Sequence, residues 1–337
     1  MLVFIAPISG GFFVNQVELM CQFLETTGEK PDIGMSTSGG NFAMYLALLS
    51  EWDHRNIREK IMKLDDTFIV REWSKNPLIP REVWGFIYGS MYDRGKGDPF
   101  TYDPAYDLAA ATEVWTTAFN RTQNLTAYFT NKAIGKTHLT FTTPYVPSLP
   151  LRFVNGNYTQ LKDIALASAA VPGVQREMII DGESYYDGGM LYASPFMAFQ
   201  DNLRDLSQTQ PMHIVYFHCV NLARPTAKPT KEGILADAHW AVSQLTSGHI
   251  AGDIAAVITF LRSVPGFTAL QTREWTTGSR DAILATRSIR ATSRATVTEL
   301  YPLHNRSIDY TSFTALDVES VMNICRQDFC IRMHWTL

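Results

Sequence analysis

The 337-residue chain has only four cysteines, Cys21, Cys219, Cys325 and Cys330, and no CxxC pair among them. Thiols so few and so scattered do not form a disulfide scaffold, and a reduced cytoplasmic chain is expected. Long uncharged apolar runs are also missing. No stretch reaches the roughly 18 apolar residues that a membrane-spanning helix needs, so contact with lipid is expected only from the surface, as a peripheral association. Residues 1–17 carry no charge, but the basic segment of an export signal is absent, and Pro7, Gly10 and Gly11 break the apolar run; a buried first strand is the reading. Without an export signal, the N-x-S/T patterns at Asn120, Asn124, Asn157 and Asn305 are chance matches. An excess of positive charge is lacking too. The 29 basic and 33 acidic residues leave a net charge of -4, so nothing draws the chain as a whole to nucleic acid. Eight histidines are scattered without metal-ligand spacing; neither a metal nor an organic cofactor is implied, and His213 and His218 read as structural.

The sequence is well supplied with apolar residues, at 46% hydrophobic and 12% aromatic, enough for a sizeable core. Leu2 to Ala6 is a continuous apolar run suited to a strand buried on both faces, followed by a turn at Ser9-Gly10-Gly11. Val17, Met20, Cys21 and Leu24 then give a helix one core stripe that Gly28 stops. Pro31 to Met35 suits a second strand, and Phe42, Leu46 and Leu49 a second helix. This strand-turn-helix repetition predicts a parallel sheet. Further strands are expected near Val114–Phe119, Leu139–Phe141, Leu151–Val154, His213–Val220 and Ala295–Tyr301, and helices over Leu161–Ala170, Ile234–Val264 and Leu316–Cys325. Met178 to Tyr186 reads as a hairpin about Asp181-Gly182. Between Arg58 and Arg94, aromatic residues mix with prolines and charges. The part from Trp73 to Tyr92 suits a lid or membrane-contact surface, and equally a buried subdomain packed over the sheet.

The strongest chemical signal is Asp32-Ile33-Gly34-Met35-Ser36-Thr37-Ser38-Gly39-Gly40-Asn41-Phe42, a short strand entering a tight small-residue turn and then a helix. A serine on such an elbow projects its hydroxyl from a strained turn, while the helix start directs N–H groups at developing negative charge. Both Ser36 and Ser38 fit a G-x-S-x-G register. Ser38 is preferred because it leaves Ile33 to Thr37 for the strand and places Gly39 and Gly40 at the helix start. A plain helix cap is the bland alternative.

Ser9-Gly10-Gly11, the elbow at Ser38, Ala167-Ser168-Ala169-Ala170-Val171-Pro172-Gly173 and Tyr186-Asp187-Gly188-Gly189 together resemble the patatin-like phospholipases in content, order and spacing. The resemblance implies a three-layer α/β/α fold with a mostly parallel central sheet, formed by one domain over 1–337. In it, 55–110 is a helical cap-like insertion and 265–337 a C-terminal extension completing the domain. It also implies a lipid acyl hydrolase using Ser38 as nucleophile, Asp187 as its base, and Gly10 and Gly11 as oxyanion donors, with a lipid or phospholipid as substrate. Three residues depart from the family pattern: Ser9 for the first glycine of the oxyanion loop, Phe13 for a basic residue, and Ser36 for the first glycine of the elbow. The bulky Phe12-Phe13 pair is expected to narrow or line the oxyanion site. Two rival readings remain: a Ser-His-Asp hydrolase or acyltransferase using His304, and a non-catalytic binding or structural relative.

Overall fold

Five short parallel strands, each apolar enough to be covered on both faces, form the centre of the structure. These are Glu113–Asn120 (β3), Ile33–Thr37 (β2), Leu2–Ala6 (β1), Met212–Phe217 (β8) and Ala295–Pro302 (β10), side by side in that order. This is a computed structural model, and it describes residues 1–63, 107–108, 110–132, 138–139, 148–152, 158–172, 177–224, 234–306 and 315–336. On one flank, Leu125–Thr130 (β4) runs antiparallel to β3 and carries Ser148–Arg152 (β5) parallel to itself. On the other, Phe329–Thr336 (β11) and Leu270–Trp275 (β9) add antiparallel strands. The Asp181-Gly182 hairpin forms as expected from its turn residues: Met178–Ile180 (β6) pairs with Glu183–Asp187 (β7), and Asp181 and Gly182 take φ values of 51° and 82°.

Side chains alternate between two cores, as the period of a strand requires. In β1, Leu2, Phe4 and Ala6 enter one apolar cluster, and Val3 and Ile5 the other. The first cluster is roofed by helices Phe13–Thr27 (α1), Gly39–Leu48 (α2), His54–Ile61 (α3), Tyr158–Ser168 (α4), Arg280–Thr292 (α7) and Ala315–Gln327 (α8). The second lies under Phe196–Thr209 (α5) and Ile234–Leu261 (α6). The fold is therefore the expected three-layer α/β/α sandwich.

Several elements differ from expectation. Helix α1 is buried almost all round rather than along one stripe, because α2, α3, α7 and α8 all pack on it. Its polar residues are tied down in consequence: Glu18, fully buried, receives Arg58 and Arg326. Strands β4, β9 and β11 and helices α5 and α7 were not anticipated; β9 is an edge strand whose residues are mostly exposed, so it carries no apolar alternation. Leu139 lies outside any strand, and the expected strand residues beyond it, like the aromatic segment from Trp73 to Tyr92, fall outside the described residues. All four cysteines are buried and free. No helix among the described residues is long and apolar enough to cross a membrane.

A buried polar strip crosses the second core. His218 Nε2 meets Glu299 Oε2 at 2.8 Å, and His334 Nε2 meets Glu299 Oε1 at 2.9 Å. Burial alone would raise the Glu299 carboxyl, but its two imidazole partners outweigh burial and hold it down at about 2. A folded-state value below the unfolded one means a contribution that is present above about pH 4.5 and lost as pH falls through about 2. Glu299→Gln is expected to cost roughly 3 kcal/mol at pH 7; in urea melts followed by circular dichroism, the gap to the parent should close below pH 3.

Candidate active site

Strand β3 acts as a common template for the two site residues. Along one of its edges it pairs with β2 as far as Thr117, opposite Thr37. There β2 ends and the chain turns into α2. From Ala118 onward the vacated edge is taken by β7, running the other way, with Asp187 opposite Ala118. Ser38, one residue past Thr37, thus arrives beside Asp187 although 149 positions separate them. Ser38 Oγ donates to Asp187 Oδ2 at 2.7 Å. The second carboxylate oxygen, Oδ1, accepts the Gly189 N–H at 2.6 Å.

The turn holding Ser38 is a strained elbow. Ser38 has φ 56° and ψ -132°, a region that non-glycine residues avoid and that sharp functional turns retain. Ser36, the competing serine, lies within β2 in register with Ala6 and Thr116, and its hydroxyl faces Asn41 Oδ1 at 3.4 Å. The elbow is possible because the first turn of α2 presses directly on the end of β1. A Cβ on Gly40 would lie 2.2 Å from the Ala6 carbonyl oxygen and 2.3 Å from that of Pro7. Gly188 has the same role beside Asp187, since a Cβ there would lie 2.4 Å from the Thr117 carbonyl oxygen. The two motif glycines permit close approach of backbones.

Ser168, in the Ala167–Gly173 segment, was not assigned a role from sequence, yet it links the parts of the site. Its hydroxyl accepts the Ser38 N–H at 2.9 Å and donates to the Thr117 carbonyl at 2.7 Å. Two residues on, the Ala170 carbonyl accepts the Asp187 N–H at 2.9 Å. Thr37 and Thr117 join hydroxyls at 2.7 Å. Local sequence signals only that this is a small-residue turn after a helix; the role becomes visible when β3 lies beneath it. His249 on α6 also reaches the site: its Nδ1 is 3.0 Å from the Gly189 carbonyl, which only accepts, so Nδ1 carries the hydrogen.

Burial dominates the electrostatics. Asp187 is 3% exposed, and burial lifts its carboxyl to about 7 against the opposing hydrogen bonds from Ser38 and Gly189. The loop Ser9–Gly11 leads into a short 3-10 turn, Gly10–Phe12, with Gly10 at φ 52°. Gln16 braces it by donating to the Pro7 carbonyl at 2.9 Å and to that of Phe217 at 3.1 Å. Phe12 and Phe13 do not line this loop as a pair. They enter the two cores on opposite sides of the sheet, Phe13 packing its ring against Phe42 at 5.5 Å. His304 is half-exposed and has Asp328 as its neighbour at 3.8 Å, while the Ser38 hydroxyl donates to Asp187. Among the described residues no group of three or more His, Cys, Asp or Glu side chains is placed to hold a metal ion.

The structure thus joins a three-layer α/β/α sheet, a strained serine elbow and a buried carboxylate on that serine's hydroxyl. The family described as patatin-like phospholipase matches residues 15–199, more than half of the chain, and the chain belongs to that family. The match takes in Ser38, Ser168 and Asp187 and begins after the Ser9–Gly11 loop. The family acts on lipid substrates, and its members are typically phospholipases and esterases. No curated protein matches the chain.

Ser168→Ala is expected to lower stability by about 1–3 kcal/mol, because it strands the buried Ser38 N–H and Thr117 carbonyl. Equilibrium urea unfolding measures this. Gly188→Ala should cost at least as much, since the obstacle is backbone rather than a movable side chain.

Proposed function

We propose that the chain is a lipid acyl hydrolase that cleaves carboxylic ester bonds through a Ser38–Asp187 dyad and an acyl-enzyme. The observation that carries this reading is the 2.7 Å hydrogen bond from Ser38 Oγ, on a strained elbow, to Asp187 Oδ2. A serine hydroxyl is a weak nucleophile at neutral pH and needs a positioned base. As Ser38 Oγ bonds to the ester carbonyl carbon, its proton passes to Asp187 and the carbonyl π electrons move onto oxygen. That oxyanion is met by backbone N–H groups of Gly10 and Gly11. Its collapse breaks the bond to the alcohol oxygen, which takes the proton from Asp187. Water then attacks the acyl-enzyme, gives a proton to Asp187, and the second collapse returns that proton to Ser38 Oγ and frees the fatty acid.

A carboxyl poised at about 7 suits this work, because a base near the operating pH both accepts and returns a proton. The Gly189 N–H on Oδ1 leaves Oδ2 to face the hydroxyl. Within this proposal the whole chain acts as one domain and meets lipid from the surface, without a metal or organic cofactor. A histidine triad through His304 has no geometric support, since the Ser38 hydroxyl donates to Asp187 rather than to an imidazole.

The decisive experiment treats the purified chain with a fluorophosphonate probe and maps the modified peptide by mass spectrometry. Modification at Ser38 is expected; an unmodified Ser38 in folded protein overturns the reading. Ser38→Ala and Asp187→Asn should each abolish cleavage of a p-nitrophenyl ester, while His304→Ala retains it. In the parent, kcat/KM should rise with pH through about 7 and level off above, as Asp187 ionises. The same raised carboxyl gives stability that is full below about pH 3.8 and is lost as pH rises through about 7. Asp187→Asn should therefore melt at or above the parent temperature at pH 8.

A further inference from the structure

The Ser9 hydroxyl has no assigned use in the fold. Ser9 is 1% exposed, and its Oγ is buried without a hydrogen-bond partner. It stands before the Gly10–Phe12 turn but does not cap it with its side chain; the Phe12 N–H is taken by the Ser9 backbone carbonyl at 3.1 Å. A buried hydroxyl without a partner is costly to keep unless something is to be bound there.

Its neighbours indicate what that is. A Cβ built on Gly39 would lie 2.4 Å from Ser9 Oγ and 3.1 Å from the Gly10 nitrogen. The Gly10 carbonyl also lies near, but it is engaged by the Phe13 N–H. Gly39 follows Ser38 and opens α2, where amide N–H groups have no preceding helical turn to bond. In a nucleophile elbow, the N–H of the residue after the nucleophile is one arm of the oxyanion hole. Ser9 Oγ therefore sits against the backbone of that arm, next to the Gly10 N–H that supplies another.

We propose that Ser9 is a catalytic residue whose hydroxyl donates a hydrogen bond to the oxyanion, adding a side-chain donor to the amides of Gly10, Gly11 and Gly39. This rests on the Ser38–Asp187 reading and deepens it. The absence of a partner in the resting protein is then an advantage, because a donor that has no ground-state bond to break acts chiefly on the charged state. Serine in place of glycine at this loop position is thus a gain of one donor.

The test compares parent, Ser9→Ala and Ser9→Gly in p-nitrophenyl butyrate hydrolysis, in the rate of Ser38 modification by a fluorophosphonate, and in thermal melting. Removing one such donor is expected to lower kcat about 10- to 100-fold. KM should stay within about twofold of the parent, with a matching fall in the modification rate and a melting temperature equal to or above the parent's. Ser9→Gly serves if Ser9→Ala does not fold. Variants that turn over and react at the parent's rate overturn the proposal. So does a loss of activity accompanied by lower melting temperature and raised KM, which would make Ser9 a support of the loop. A parent that is itself unreactive at Ser38 would instead overturn the dyad reading.

Discussion

Everything at the site depends on how one strand, Glu113–Asn120, divides its edge. Its first part pairs in parallel with the strand leading to Ser38, and its last part pairs antiparallel with the strand ending at Asp187. Because side chains alternate along a strand, a slip of one residue in either pairing would turn Ser38 or Asp187 to the opposite face. The register is held from above by Ser168, which bonds the Ser38 amide and the Thr117 carbonyl. It is held from beneath by close backbone contacts that only Gly40 and Gly188 permit. The elbow strain at Ser38 is thus sustained by packing around it rather than by the turn itself.

The same packing sets the chemistry. A carboxylate on an exposed turn would be a weak base at neutral pH. Asp187 is enclosed between the α4 segment and β3, and burial raises its carboxyl to about 7. Its hydrogen bonds oppose that rise, and the balance between burial and bonding sets its proton affinity. By contrast, Glu299 in the second core is just as enclosed, yet two imidazoles drive it the other way. Partner chemistry, not burial alone, separates the two carboxylates.

Much of the central sheet is legible in the sequence. Strands covered on both faces read as unbroken apolar runs, and hairpin turns advertise themselves by residues such as Asp181-Gly182. The edges were not legible. The strand Leu270–Trp275 keeps most of its side chains exposed, so the alternation that identifies a strand is absent. The spacing of Val17, Met20, Cys21 and Leu24 marks one buried stripe on α1, but neighbours from both halves of the chain enclose the helix. Asn15, Gln16 and Glu18 are consequently interior residues whose partners lie far away in sequence. Phe12 and Phe13 looked like one aromatic wall, and the sheet between the two cores separates them.

By itself, the sequence determined the family, because elbow, glycine loop and Asp-Gly-Gly turn are local constraints written in adjacent residues. Only the tertiary structure decided that Ser38 and not Ser36 occupies the elbow, that Asp187 meets it, that Ser168 links both to β3, and that the Ser9 hydroxyl lies unpartnered against Gly39. The Ser38–Asp187 and Ser38–Ser168 contacts join positions 149 and 130 apart, so the register and enclosure behind them leave no trace in local spacing.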